Sequence, residues 1–313
     1  MKTVIIIIGP TASGKTKLSI ELAKEVGGEI ISADSMQVYR YMDIGTAKPT
    51  REEMDGIKHY MVDEVNPDEE FSVASFQESA YRYIEEIHKK NKVPIIAGGT
   101  GLYINSLVYN INFTETTSDW KLREELKKEA EEKGKEYLHK KLESIDPEAA
   151  GKLHVNDVKR VIRAIEVFEY TKKPISYHQE VSRLNPPKYR YLLIGLKMDR
   201  ERLYLRINDR VDRMLEEGLV DEVKRLTALG YDKSTVSMQG LGYKEILSYL
   251  RGEITLEEAV YLIKRDTRHY AKRQITWFKR LQDVLWIDMD KETNTESALK
   301  IIKDYIASAG IFL

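Results

Sequence analysis

The chain has 313 residues, with 50 Lys and Arg against 51 Asp and Glu, and it contains no cysteine. That length holds one large domain or two smaller ones. The lack of Cys excludes a disulfide scaffold, a thiol nucleophile and Cys-ligated zinc or iron–sulfur sites. No apolar run reaches the roughly 20 residues of a membrane helix, and the apolar start is too short for a signal peptide, so a cytoplasmic protein with no membrane partner is expected.

Residues 4–8 are continuously apolar and β-branched and run into Gly9-Pro10, which predicts a buried strand. The spacing of Leu18, Leu22 and Val26 before Gly27-Gly28 predicts a helix over 15–26. Short strands are expected at 30–33, 60–62 and 93–97, with a helix over 76–90. Such alternation argues for a parallel sheet covered by helices, an α/β fold. It stops near Asn112. Residues 119–177 read as charge-rich helices interrupted at Asp146-Pro147 and Asn156-Asp157, and an apolar strand resumes at 191–196. The expected organisation is therefore a core of 1–113 and 191–313 with a helical insertion of 114–190. Long helices are expected over 200–229 and 256–281, with a last strand at 284–287.

Charge is unevenly spread. Residues 1–113 carry 12 basic and 16 acidic side chains, 114–190 carry 17 and 15, and 197–282 carry 18 and 14. Within 262–281 there are seven basic residues and only Asp266 to oppose them. Arg265, Arg268, Lys272 and Lys279 fall on one helix face, whereas Tyr270, Trp277 and Leu281 fall on a packing face. The basic face is either solvated or a phosphate-tracking stripe. The six His show no metal spacing.

The strongest local signal is Gly9, Pro10, Thr11, Ala12, Ser13, Gly14, Lys15 and Thr16, a complete G-x-x-x-x-G-K-[ST] loop between a strand and a helix. Its glycines let backbone N–H groups curl around phosphate oxygens, Lys15 neutralises the terminal phosphates, and the Thr16 hydroxyl is the expected ligand of Mg²⁺. Asp34 ends the next strand and is a metal ligand, a general base or a helix cap. Asp63 is a weaker candidate for a strand-ending metal ligand. Gly98-Gly99-Thr100-Gly101 ends another strand and should face the same crevice. Arg206, Arg210 and Arg213 recur at helical spacing, and one of them could reach a phosphate. The loop alone would suit a small-molecule kinase. That reading leaves the basic stripe and the insertion unexplained, and the complete loop and Asp34 argue against a non-catalytic RNA-binding adaptor with a vestigial loop.

Seven segments in order, at 9–16, 32–39, 42–49, 98–103, 156–166, 240–245 and 271–278, resemble the bacterial tRNA dimethylallyltransferases. The resemblance implies a P-loop fold whose insertion grips the tRNA anticodon stem-loop. It implies transfer of a dimethylallyl group from dimethylallyl diphosphate to N6 of the adenine 3′ of the anticodon; a monomer is expected. A relative acting on free AMP is a variant reading. The implied diphosphate site is residues 9–16, with Mg²⁺ on Thr16. Asp34 is implied as general base, alongside Lys15, Thr16, Thr100 and Arg206. Implied tRNA contacts are Asp34, Ser35, Met36, Gln37 and Thr100 near the base, and Arg123, Lys159, Arg160 and Arg163 in the insertion. They continue with Gln239, Gly240, Gly242, Tyr243 and Lys244, and then with Arg268, Lys272, Arg273, Gln274, Thr276, Trp277 and Lys279.

Overall fold

The computed structural model describes residues 2–111, 119–184, 186–291 and 295–310. Chain order begins β1 (Thr3–Ile8), α1 (Lys15–Val26), β2 (Gly28–Ser32), α2 (Arg51–Met54), β3 (His59–Tyr60), α3 (Val73–Lys89), β4 (Val93–Gly98) and α4 (Gly101–Val108). Five helices follow: α5 (Trp120–Lys133), α6 (Lys135–Ile145), α7 (Pro147–Lys152), α8 (Val158–Thr171) and α9 (Ile175–Arg183). The sheet resumes with β5 (Arg190–Lys197), then α10 (Arg200–Glu216), α11 (Leu219–Ala228), α12 (Tyr243–Leu250), α13 (Leu256–Phe278), β6 (Val284–Asp288) and α14 (Thr295–Ser308).

The six strands form one parallel sheet in the order β3-β2-β4-β1-β5-β6. Because β1 lies at the centre, buried on both faces, its sequence is continuously apolar rather than alternating. Ile5, Ile7, Ile95, Leu192 and Ile194 pack one face of the sheet onto Leu18 and Leu22 of α1 and Ile302 and Ile306 of α14. Each such side chain contributes roughly 1.5–3 kcal/mol on burial. The helix expected over 200–229 is two helices. Gly218 at φ 99° turns the chain between α10 and α11, a conformation open to glycine at little cost.

The chain divides into two compact units, Met1–Ile104 with Tyr189–Leu313, and Asn105–Lys188. In the first, a second apolar cluster joins α10, α11, α12, α13 and the 38–42 segment through Met42, Val211, Leu219, Tyr243 and Ile263. In the second, α5, α6 and α8 meet over Leu126, Leu138, Leu142, Val161 and Ile165. There the buried Asp146 carboxylate caps α7 at Ala149 N–H and accepts from the N–H and Oγ of Ser176, tying α9 down.

Candidate active site

The site is built where β1, β2 and β4 end. After β1, Ala12 (φ 63°) and Gly14 (φ 95°) are left-handed, which folds 9–14 into a loop over the start of α1. The first N–H groups of a helix have no intrahelical partner, so those of Lys15 and Thr16 stand ready for an anion. Two other loop N–H groups are used: Thr11 donates to Gln274 Oε1 (2.9 Å) and Ser13 to Pro10 O (3.3 Å). Lys15 Nζ donates to Pro10 O at 2.8 Å. Desolvation, with the nearby Arg210 guanidinium, lowers its pKa to about 8 against the raising pull of Asp34. A cation strained in this way gains most from an arriving anion.

Past β2, the Asp34 Oδ1 accepts from Met36 N–H (2.9 Å) and Gln37 N–H (3.4 Å), so it does cap the following turn. Oδ2 accepts no hydrogen bond among the described residues. One carboxylate thus holds its own geometry and offers an acceptor. Thr100 Oγ1 accepts from Ser35 N–H (3.1 Å), and Thr100 N–H donates to Ala33 O (3.2 Å), which binds the two strand ends together. Gly98 is required there, because a Cβ would lie 2.2 Å from Ala33 O.

Two cavities meet over these residues. The smaller, about 90 Å³, is lined by Thr11, Lys15, Thr16, Ser32, Asp34 and Gly99, among others. The larger, about 330 Å³, is lined by apolar side chains including Met36, Ile207, Val211, Met214 and Ile263, with Lys244 and Arg273 also in its wall. Thr11, Asp34, Thr46, Arg210 and Tyr270 belong to both. Tyr270 was expected to pack and instead stands at this junction. Burial and the Asp34 charge push its phenol up to about 12, against hydrogen bonds with Thr100 and Gln274. It therefore stays protonated at neutral pH.

Of Arg206, Arg210 and Arg213 on α10, Arg210 lines both cavities and its Nη1 lies 3.5 Å from Thr11 Oγ1. Arg206, the one expected at the phosphates, is exposed and donates from Nε to Ala12 O at 2.8 Å, bracing the loop from outside. The spacing identified the helix face but could not rank its three members. Asp63 is turned away and pairs with Lys48 at 2.6 Å.

Several side chains expected at RNA are taken up within the protein. Gln274 is 5% exposed and bridges Thr11 N–H and Gly99 O, clamping the phosphate loop to the β4 turn. Tyr243 is fully buried on Glu222, and the Trp277 indole lies against Gly101, where a Cβ would be 2.4 Å from its Cδ1. Gln37 is bonded to Ser32 Oγ and to the carbonyls of Thr46 and Ala47. In the helical unit, Arg123 and Arg163 converge on the buried Glu166. Burial raises that carboxyl, and the two arginines outweigh it and lower it. Arg160 pairs with Asp157 at 3.2 Å, while Lys159 is exposed.

The basic stripe is split. Its first half is tied in: Lys264 to Asp212 (2.6 Å), Arg265 to Asp266 (2.7 Å) and Arg268 to Asn208 (2.7 Å). Lys272, Arg273, Thr276 and Lys279 are exposed, as are Gln239 and Lys244. Gly240 seats against Met36 and Gly242 turns at φ 93°. The second half is thus the part of the stripe left open to solvent.

A family model described as IPP transferase matches residues 37–281. The phosphate loop and Asp34 lie before that range, and full-length relatives cover them. A tRNA dimethylallyltransferase of Acetivibrio thermocellus is 66% identical over the whole of both chains, and one of Thermoanaerobacter sp. is 55% identical over 97% of each. Among solved structures, a tRNA isopentenylpyrophosphate transferase of Bacillus halodurans is 46% identical, with 98% of this chain and 96% of that one covered and a TM-score of 0.74. A eukaryotic dimethylallyltransferase acting on tRNA is 32% identical, covering 98% of this chain and 80% of that one, with a TM-score of 0.84.

Proposed function

This chain belongs to the IPP transferase family, and on that footing we propose that it moves a dimethylallyl group from dimethylallyl diphosphate to N6 of the adenine 3′-adjacent to the anticodon of tRNA. The observation that carries this reading is the pair of cavities joined at Asp34, Arg210 and Tyr270. The polar one suits a diphosphate. The larger one, with cations in its wall, suits a base flipped out of an RNA loop.

At the junction the C1–O bond of the donor breaks as N6–C1 forms, the diphosphate leaves, and one N6 proton passes to Asp34. Charge develops on the leaving oxygen and on the allylic carbon. Lys15, Arg210 and the N–H groups at the start of α1 are preorganised for the departing anion. Asp34 Oδ2 accepts the N6 proton as the bond forms. The Tyr270 hydroxyl stays neutral between these charges and presents a donor. Mg²⁺ fits the oxygens present, because it keeps most of its waters and takes few protein ligands. Thr16, in the wall of the polar cavity, would hold it, and it would add positive charge beside the diphosphate.

No helix among the described residues is long and apolar enough to cross a membrane, and a tRNA substrate is in keeping with a cytoplasmic reaction. The exposed Lys159 suits a role for the helical unit at the anticodon stem-loop. Incubation with labelled dimethylallyl diphosphate, Mg²⁺ and unmodified tRNA tests the proposal. Label in tRNA is the expected result. Label in AMP alone, or ATP turnover without prenylation, overturns it.

A further inference from the structure

Residues 43–45 present three consecutive backbone N–H groups to a single side chain, Glu222 of α11. Asp43 and Ile44 donate to its Oε2 at 3.0 and 2.8 Å, and Gly45 donates to its Oε1 at 3.1 Å. The Tyr243 hydroxyl donates to the same Oε1 at 2.7 Å. The carboxylate is 2% exposed and all four of these partners are neutral donors. A buried charge with no cation beside it persists only where donors replace its water, and successive N–H groups around an anion do so efficiently. Burial and the Glu222 charge raise the Tyr243 phenol far above its ordinary range, so it remains the donor.

The geometry shows what this clamp holds. Gly45, Thr46 and Ala47 form part of the wall of the larger cavity, together with Tyr243 itself. A Cβ at Gly45 would lie 2.5 Å from Tyr243 Cζ, so the ring is seated directly on the backbone. From the other side the Gln37 amide grips the carbonyls of Thr46 and Ala47, and its Oε1 accepts from Ser32 Oγ. The segment is therefore fixed from both sides, and Ser32 stands two residues from Asp34. The phosphate loop takes no part in these bonds.

We infer that Glu222 is a positioning residue for the RNA acceptor: through the N–H groups of residues 43–45 and the Tyr243 hydroxyl it fixes the cavity wall against which the reacting base lies. The inference rests on the functional reading above. It separates acceptor from donor, and that separation is measurable. Glu222→Gln retains shape and loses the charge that orders four donors.

The test is steady-state prenylation with tRNA varied at saturating dimethylallyl diphosphate, and then with the two exchanged. Losing charge-assisted hydrogen bonds predicts a fall of about 10-fold or more in kcat/KM for tRNA. KM for the donor should stay within about twofold. Gly45→Ala, which pushes the Tyr243 ring off the backbone without touching Glu222, should give the same split, and Glu222→Asp should recover part of the loss. Equal losses for both substrates, or a lowered Tm with unchanged kcat/KM, overturn the inference. If Glu222→Gln fails to fold, Gly45→Ala decides in the same way. Wild-type protein that modifies no tRNA removes the functional reading itself, whereas active wild type with an unsplit variant removes only this inference.

Discussion

Two segments of this molecule curl successive backbone N–H groups around an anion, and they use the arrangement oppositely. At 9–16 the anion is, under the proposed function, external: Lys15 and Thr16 open α1 with donors that no described residue takes up, and burial lowers the Lys15 ammonium pKa to about 8 in the cavity wall. At 43–45 the anion is the protein's own Glu222, and the donors are already satisfied. A phosphate loop thus keeps its electrostatic need open until substrate arrives. The other segment closes that need during folding and becomes a rigid wall. Whether an N–H cradle binds a ligand or builds the protein depends on who supplies the negative charge.

The sharpest way to break this division acts on Asp34, the carboxylate proposed as the base. Asp34→Asn retains a side-chain oxygen able to cap the turn and removes the base, so kcat should fall about 10²–10⁴-fold. Its tRNA affinity, measured by filter binding, and its Tm should hardly change. Loss of tRNA binding instead would return Asp34 to a structural cap.

The open cradle makes a second prediction, with its sign set by Lys15. Its pKa in the folded protein is lowered from 10.5 to about 8, so folding disfavours the charged form. That penalty is present below about pH 8 and fades as pH rises towards the unfolded value. Lys15→Met should therefore abolish donor binding while raising Tm at pH 7, with the gain disappearing near pH 10. In the wild-type enzyme, kcat/KM for dimethylallyl diphosphate should fall above about pH 8, as free Lys15 loses the proton that pairs with phosphate. A flat profile to pH 9.5 would contradict the assignment.

Arg210 and Arg206 separate next. Removing a partly buried guanidinium that faces the diphosphate costs roughly 1.5–3 kcal/mol, so Arg210→Ala should lower kcat/KM for the donor about 10–100-fold. Arg206→Ala should cost less, because that side chain braces Ala12 O from outside. The reverse order in a donor titration would restore Arg206 as the phosphate ligand.

The smallest effect lies on the surface. Each of Lys272→Gln and Lys279→Gln should reduce the slope of log K for tRNA against log salt by about one. Lys264→Gln should leave it unchanged, because that ammonium is paired with Asp212.

What could be read from the chain was contiguous. Residues 4–8, the loop 9–16 and the helix that follows announce themselves because strand, turn and helix lie within one short stretch, where hydrophobic period and glycine placement are local properties. Asp34 was visible for the same reason, although spacing left its role divided three ways. The rest of the site is assembled across the fold. Gln274 meets Thr11 from 263 positions away and Glu222 meets Asp43 from 179, and no periodicity carries such a pairing. Tyr270 obeys the helical pattern of a packing residue, and its packing partners happen to be cavity walls. The basic stripe looked uniform because Asp212 and Asn208, which divide it, lie on another helix.

The most direct test of the account is a single-turnover reaction on unmodified tRNA, quenched and digested to nucleosides. Released diphosphate is counted alongside. The account predicts one N6-dimethylallyl-adenosine per tRNA, located beside the anticodon, with one diphosphate released for each. Diphosphate released without that nucleoside, or the group found on another atom or base, would contradict it.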